Sequence, residues 1–133
     1  MNIVEIEGVG PAAAEKLTSA GVKTTDSLLE KGGSPKGRKD LAAATGIDEK
    51  KILEWVNRAD LMRVKGVGSE FSDLLEAAGV DTVKELAQRR ADNLQEKMVE
   101  LNNQKKLVRR VPTPSEVEAW VAHAKTLPGA VTY

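Results

Sequence analysis

The sequence predicts an all-α protein of two tandem units of short helices, packed into one compact body. Three observations carry this. First, the chain repeats itself. Ile6-Glu7-Gly8-Val9-Gly10, Leu17, Ala20-Gly21-Val22, Thr24 and Leu28 return as Val64-Lys65-Gly66-Val67-Gly68, Leu75, Ala78-Gly79-Val80, Thr82 and Leu86, at a constant offset of 58. Second, Ile52, Trp55, Val56 and Ala59 sit at i, i+3, i+4 and i+7, the spacing of one apolar helix face. Val117, Trp120, Val121 and Ala124 repeat that face at an offset of 65. Third, 41% of residues are hydrophobic but only 3% aromatic. The core must therefore be built from small aliphatic side chains, which suits short helices in close packing.

The two offsets differ because the second copy carries seven more residues in its middle. The expected units are residues 1–62 and 63–133, since a duplication of this length reads as two like modules. In the first, Asn2 to Glu7 is the one brief stretch that alternates like a strand. Pro11 suits the first position of a helix, where its missing N–H costs nothing. Ala13, Ala14, Leu17 and Ala20 face inward, and Gly21 ends that helix as a left-handed cap. Lys31 to Asp40, KGGSPKGRKD, reads as a loop by its glycine and proline content. Asp48 caps the helix that carries Trp55.

In the second unit Ser69 takes the place of Pro11, and Leu74, Leu75 and Ala78 precede Gly79. Thr82 to Glu85 and Thr113 to Glu116 both fit a capping box. Leu94, Met98, Leu101 and Val108 suggest one longer helix between them. Both tryptophans, each on the last apolar helix face of its unit, are expected in the core.

Composition narrows the function classes. The 133 residues suffice for a hydrophobic core without staples, and there is no cysteine for a disulfide or thiolate metal site. Nothing approaches the length of a membrane span, and MNIVEIEG is too short and acidic for a signal peptide, so a cytoplasmic location is expected. Lys plus Arg and Asp plus Glu number 20 each, and the pI is about 6.6. A protein that coats nucleic acid is usually basic, so any such role here requires segregated charge. Two acid-free stretches offer it: Lys31, Lys36, Arg38 and Lys39, and then Lys105, Lys106, Arg109 and Arg110.

The Gly-Val-Gly turns are the other candidate feature. Glycines let the backbone come close to a ligand, and a helix that starts at once aims free N–H groups and its positive dipole end the same way. That arrangement suits a phosphate and reads no base. The candidate contacts are Gly8, Val9 and Gly10 in the first copy, and Lys65, Gly66, Val67 and Gly68 in the second. Lys36, Arg38, Lys39, Lys105, Lys106, Arg109 and Arg110 complete the set. Ser69-Glu70, with Asp73 one turn on, places acid at the second helix start, so the first turn is expected to be the better phosphate site. A dinucleotide fingerprint is excluded, because Phe71 stands where the second copy would need a small residue and the helical remainder leaves no room for a parallel sheet. No Walker sequence, catalytic triad, paired carboxylates or metal-ligand cluster is present. His123, the one histidine, falls on the exposed side of its helix. No catalytic residue, metal, cofactor or small-molecule substrate is therefore expected.

These residues also carry a resemblance. IEGVGPAAAEKLTSAGVKTTDSLLE followed by LAAATGIDEKKILEWV resembles the helix-hairpin-helix domain at the N-terminus of archaeal RadA-type recombinases. The resemblance implies a five-helix module with one good hairpin around Gly8-Val9-Gly10 and a degenerate one around Gly46-Ile47. The second half looks like a divergent copy. The whole chain is similar to an uncharacterised bacterial family with this tandem layout, marked also by ADLMRVKGVG and KKLVRRVPTPSEVEAW. Helix-hairpin-helix modules mostly bind DNA without sequence preference, and some serve only in protein contacts. Two expectations follow. One is non-enzymatic, sequence-independent DNA binding through the hairpin backbones and basic clusters. The other is a protein-interaction adaptor whose hairpins are structural turns.

Overall fold

Local capping accounts for most of the element boundaries. The computed structural model describes residues 1–133, which form eight α-helices and no strand. In order these are α1 (Pro11–Ser19), α2 (Thr25–Gly32), α3 (Pro35–Thr45), α4 (Glu49–Leu61), α5 (Ser69–Ala77), α6 (Val83–Leu86), α7 (Ala91–Lys105) and α8 (Pro114–Ala124). The chain divides into two compact units, Met1–Asp60 with Ala130–Tyr133, and Leu61–Gly129. No helix is long and apolar enough to cross a membrane.

In the first unit, Asn2 to Glu7 is not a strand. Asn2 Oδ1 accepts the Val4 N–H and Glu5 accepts the Asn2 N–H, closing a 3-10 turn over Ile3–Glu5. These backbone groups are satisfied locally, and only an isolated bridge from Asn2 to Thr24 remains of the extended pairing. Pro11 opens α1 as expected. After α1, Gly21 turns left-handed at φ +89°, and Val22 N–H returns to the Leu17 carbonyl at 2.8 Å. Thr24 and Ser27 form a reciprocal capping box for α2.

The stretch from Lys31 to Asp40 is not a loop: apart from a bend at Gly33 and Ser34 it is helical. Ser34 accepts the Gly37 N–H and Pro35 takes the first helical position, so only Gly33 and Ser34 separate α2 from α3. The glycines here serve close packing. A Cβ on Gly32 would meet Val56 Cγ2 at 2.8 Å, and one on Gly37 would run into the Lys31 carbonyl. Gly46 ends α3 at φ +73°, and Asp48 accepts the Lys50 N–H to start α4.

The buried Arg38 side chain donates to the Gly32 carbonyl at 2.9 Å, to Gly33 at 3.0 Å and to Thr132 at 2.6 Å. Thr132 N–H donates in turn to the Gly33 carbonyl at 2.8 Å. Residues 130–133 therefore belong to this unit, where the sequence reading ran the second unit to Tyr133.

The second unit repeats the first half of this plan. Gly79 turns at φ +89°, and Val80 N–H returns to Leu75 at 2.9 Å. Thr82 accepts the Glu85 N–H, but the Glu85 carboxylate reaches the Asp81 N–H, one residue earlier than a capping box requires. The later part differs. α7 ends at Lys106, a non-glycine residue at φ +52°, and residues 107–113 run irregularly to α8, with Val108 buried in the core. The longer helix therefore stops before Val108. Thr113 and Glu116 form the expected capping box.

The two tryptophans are 3% and 2% exposed, each on the last helix of its unit. Their truncation leaves large cavities, so Trp55→Ala and Trp120→Ala should each cost about 3–5 kcal/mol in chemical denaturation. A loss below 1 kcal/mol at either site would be incompatible with this packing.

Candidate functional site

The Gly-Val-Gly turns are built alike. Val9 N–H donates to Ile6 at 3.1 Å and Val67 N–H to Val64 at 3.0 Å. The middle valines are buried, while Gly8, Gly10 and Gly66 are exposed. Gly8 and Gly66 hold φ of +93° and +92°, a conformation that disfavours any side chain. Each also lies over an indole. A Cβ would stand 3.5 Å from Trp55 Nε1 at Gly8, and 3.1 Å from Trp120 Nε1 at Gly66. These two glycines are required by the fold.

Gly10 and Gly68 are not. Their φ values are −81° and −102°, open to any residue, and a Cβ at either would meet nothing within 4 Å. They are the N-caps of α1 and α5, and no side chain caps either helix. An uncapped helix start with its amides exposed favours an anion through the dipole and the unpaired N–H groups.

A second feature holds each turn in place. Arg58 donates to the Glu7 carbonyl at 3.0 Å, and His123 Nδ1 accepts the Lys65 N–H at 3.0 Å. Both side chains stand three residues after the tryptophan of their unit, and both grip the residue before the first glycine. The sequence reading left His123 on the surface without a role, yet it is half-buried and engaged. Its position relative to Trp120, matched by Arg58 relative to Trp55, was the available signal.

The basic residues sort differently in the two units. In the second, Arg109 lies 3.4 Å from Glu70, in the first turn of α5. Arg110 pairs with both oxygens of Glu116, at 2.6 and 3.0 Å, and stands 5.5 Å from the Phe71 ring centre. Phe71 in turn packs at 5.0 Å against Trp120. Lys65, Lys105 and Lys106 are exposed. Arg109 and Arg110 are thus brought to the helix start that follows Gly68, and the acid of Glu70 is countered there.

In the first unit the cluster and the turn are separated. One groove between α1 and α3 is lined by Ala20, Lys31, Gly37, Asp40, Leu41 and Ala44. Another is lined by Ala12, Glu15, Lys16, Ser19, Ala44 and Thr45. Lys36 and Lys39 are exposed at the start of α3, beside Gly37 and Asp40, which share the first groove with Ala20 at the end of α1 opposite Gly10. Arg38 leaves the candidate set, because its guanidinium is buried and committed to three carbonyls. Lys31 donates to the Ala20 carbonyl at 3.3 Å, at the end of α1. The two clusters thus differ: Arg109 and Arg110 stand beside the start of α5, whereas Lys31 reaches the end of α1.

The two glycine classes can be separated experimentally. Gly8→Ala and Gly66→Ala should each destabilise by about 1–2 kcal/mol, the cost of a side chain in the left-handed region. Gly10→Ser and Gly68→Ser should leave the denaturation midpoint within about 0.5 kcal/mol of wild type, because Ser is at least as good an N-cap as Gly. Glu116 gives a pH test. Arg110 first, and then the Thr113 N–H, lower its carboxyl from the ordinary range to about 2. Its contribution is present above the unfolded value and is lost as pH falls from about 4.5 to about 2. A Glu116→Gln variant should therefore lose stability relative to wild type at pH 7 and converge with it near pH 2.

No solved structure matches the chain. A family model does, described as a domain of unknown function (DUF4332), and it covers residues 7–127. That span takes in both glycine turns and both tryptophans, and the chain belongs to this DUF4332 family.

Proposed function

We propose that this is a non-enzymatic, sequence-independent DNA-binding protein of two helix-hairpin-helix units, in which the second hairpin makes the principal phosphate contact. The observation that carries the reading is the pair Gly10 and Gly68. Neither glycine is needed for backbone conformation or internal space, yet each stands bare at an uncapped helix start. A glycine there admits the close approach of a phosphate oxygen to the amides. Lys65, Arg109, Lys105 and Lys106 supply exposed cations for the second hairpin. Arg110 is held by Glu116 and orders that surface rather than contributing a free charge. Backbone amides and mobile cations read phosphate, not base edges, so affinity should depend little on sequence.

The adaptor reading has one specific support. Glu70, half-exposed at the α5 start, and the neutral net charge suit a protein partner better than a polyanion. In that case the hairpins are structural turns, and the basic cluster meets an acidic protein surface.

Fluorescence anisotropy with two duplexes of unrelated sequence separates these readings. Contact with about four phosphates gives a log–log salt slope near −3.6, at roughly −0.9 per phosphate. Reversing Lys105, Lys106 and Arg109 to Glu should flatten that slope, with helicity unchanged by circular dichroism. Absence of wild-type binding at low salt, or an unchanged slope in the variant, would decide for the adaptor.

A further inference from the structure

The two hairpins are held by contacts of opposite polarity. Glu7 and Lys65 occupy equivalent places, immediately before the first glycine. Arg58 grips the first as a donor, to its carbonyl. His123 grips the second as an acceptor, from its N–H. An imidazole accepts at Nδ1 only in its neutral form, with the proton on Nε2. The Arg58 donor is permanent, whereas the acceptor of His123 vanishes when the ring takes up a proton.

We infer that protonation of His123 converts this tether into an anion site, so that the second hairpin binds phosphate more tightly in acid. Uptake of one solvent proton at Nδ1 leaves two donors, the imidazolium N–H and the Lys65 N–H, facing one another where one bond stood. The two nitrogens, 3.0 Å apart while bonded, must then part, and an acceptor oxygen that enters the gap satisfies both. By reciprocal linkage, an anion bound there favours the protonated ring by the same factor.

The Lys65 ammonium is carried on the facing segment, where it favours an anion. On α8, the residues one turn before His123 are Ala119 and Trp120, and Thr126 and Leu127 follow in the turn after the helix, none of them charged. Arg63, two residues before Lys65, donates to the Pro128 carbonyl. Arg89, Arg90 and Asp92, around the start of α7, share a groove with Glu118, Val121, Ala122 and Lys125. The inference rests on the phosphate-binding reading of the hairpin and adds the group that regulates it.

Sulfate, whose charge is constant across this range, is the probe for the site itself, with the full-length chain labelled with nitrogen-15. Histidine changes charge between about pH 8 and 5. The Lys65 amide resonance should follow the imidazole titration, and sulfate should shift it at pH 5.5 but not at pH 8. Duplex DNA at fixed ionic strength should bind about tenfold more tightly at pH 5.5 than at pH 8, the worth of one added charged hydrogen bond. His123→Gln, which keeps a neutral acceptor for the Lys65 N–H, should show no such change, with its helicity checked at both pH values. A Lys65 amide that ignores the imidazole titration overturns the switch, and so does a pH dependence equal in wild type and His123→Gln. If sulfate moves the Lys65 amide only in acid and duplex DNA binds at neither pH, the switch stands and the nucleic-acid reading alone falls.

Discussion

Each unit depends on an indole lying against a glycine whose left-handed backbone disfavours a side chain. Trp55 under Gly8, and Trp120 under Gly66, join the last helix of a unit to the turn with which it begins. The chain has few other large side chains to do this, with one Phe and one Tyr beside the two Trp. The positive φ at Gly8 and Gly66 brings the backbone down onto the ring, and the buried valine that follows plugs the core beside it. Arg58 and His123, one helical turn beyond the tryptophans, then fix the approach to the turn through its backbone. The turn is consequently tied to the core through its backbone as well as through its buried valine.

Charge follows a different logic from packing. The chain is neutral overall, and its arginines have separate employments. Arg38 is structural, inside a clasp of carbonyls that also orders the final residues. Arg110 is fixed by a bidentate pair with Glu116, across the face of Phe71. Arg109 stands against Glu70 with its side chain 92% exposed, a pair that water screens heavily. Only the last of these is free to exchange partners at little cost.

What the sequence made legible follows from how locally each feature is encoded. The duplicated turns, the left-handed glycines and the buried tryptophans all rest on short-range patterns, and all are present in the structure. The Lys31 to Asp40 stretch has the composition of a loop, but its glycines serve contacts with Val56, distant in sequence, and with the Lys31 backbone, neither of which glycine content reveals. Ser34-Pro35 was the correct local signal, an N-cap with proline at the first helical position. The fate of Arg38 was hidden for the same reason, since one of its acceptors, Thr132, lies 94 residues away. His123 was missed because its partner is a backbone amide rather than a side chain. The pairing of the second basic cluster with the second turn depends on the irregular run after α7, which carries no periodicity to read.

The placement of the tryptophans has an optical consequence. With only two indoles in the chain, light absorbed at the red edge of the ultraviolet band is emitted almost wholly from beneath the two turns. The sole tyrosine, Tyr133, is exposed and contributes little at such wavelengths. The rings also differ in surroundings: Trp120 has a tilted Phe71 beside it, whereas Trp55 Nε1 is buried without a hydrogen-bond partner. Their emission should therefore differ in colour and lifetime. Retaining one indole at a time, with phenylalanine in place of the other, makes each turn its own luminescent gauge, with no dye attached to the surface it reports on.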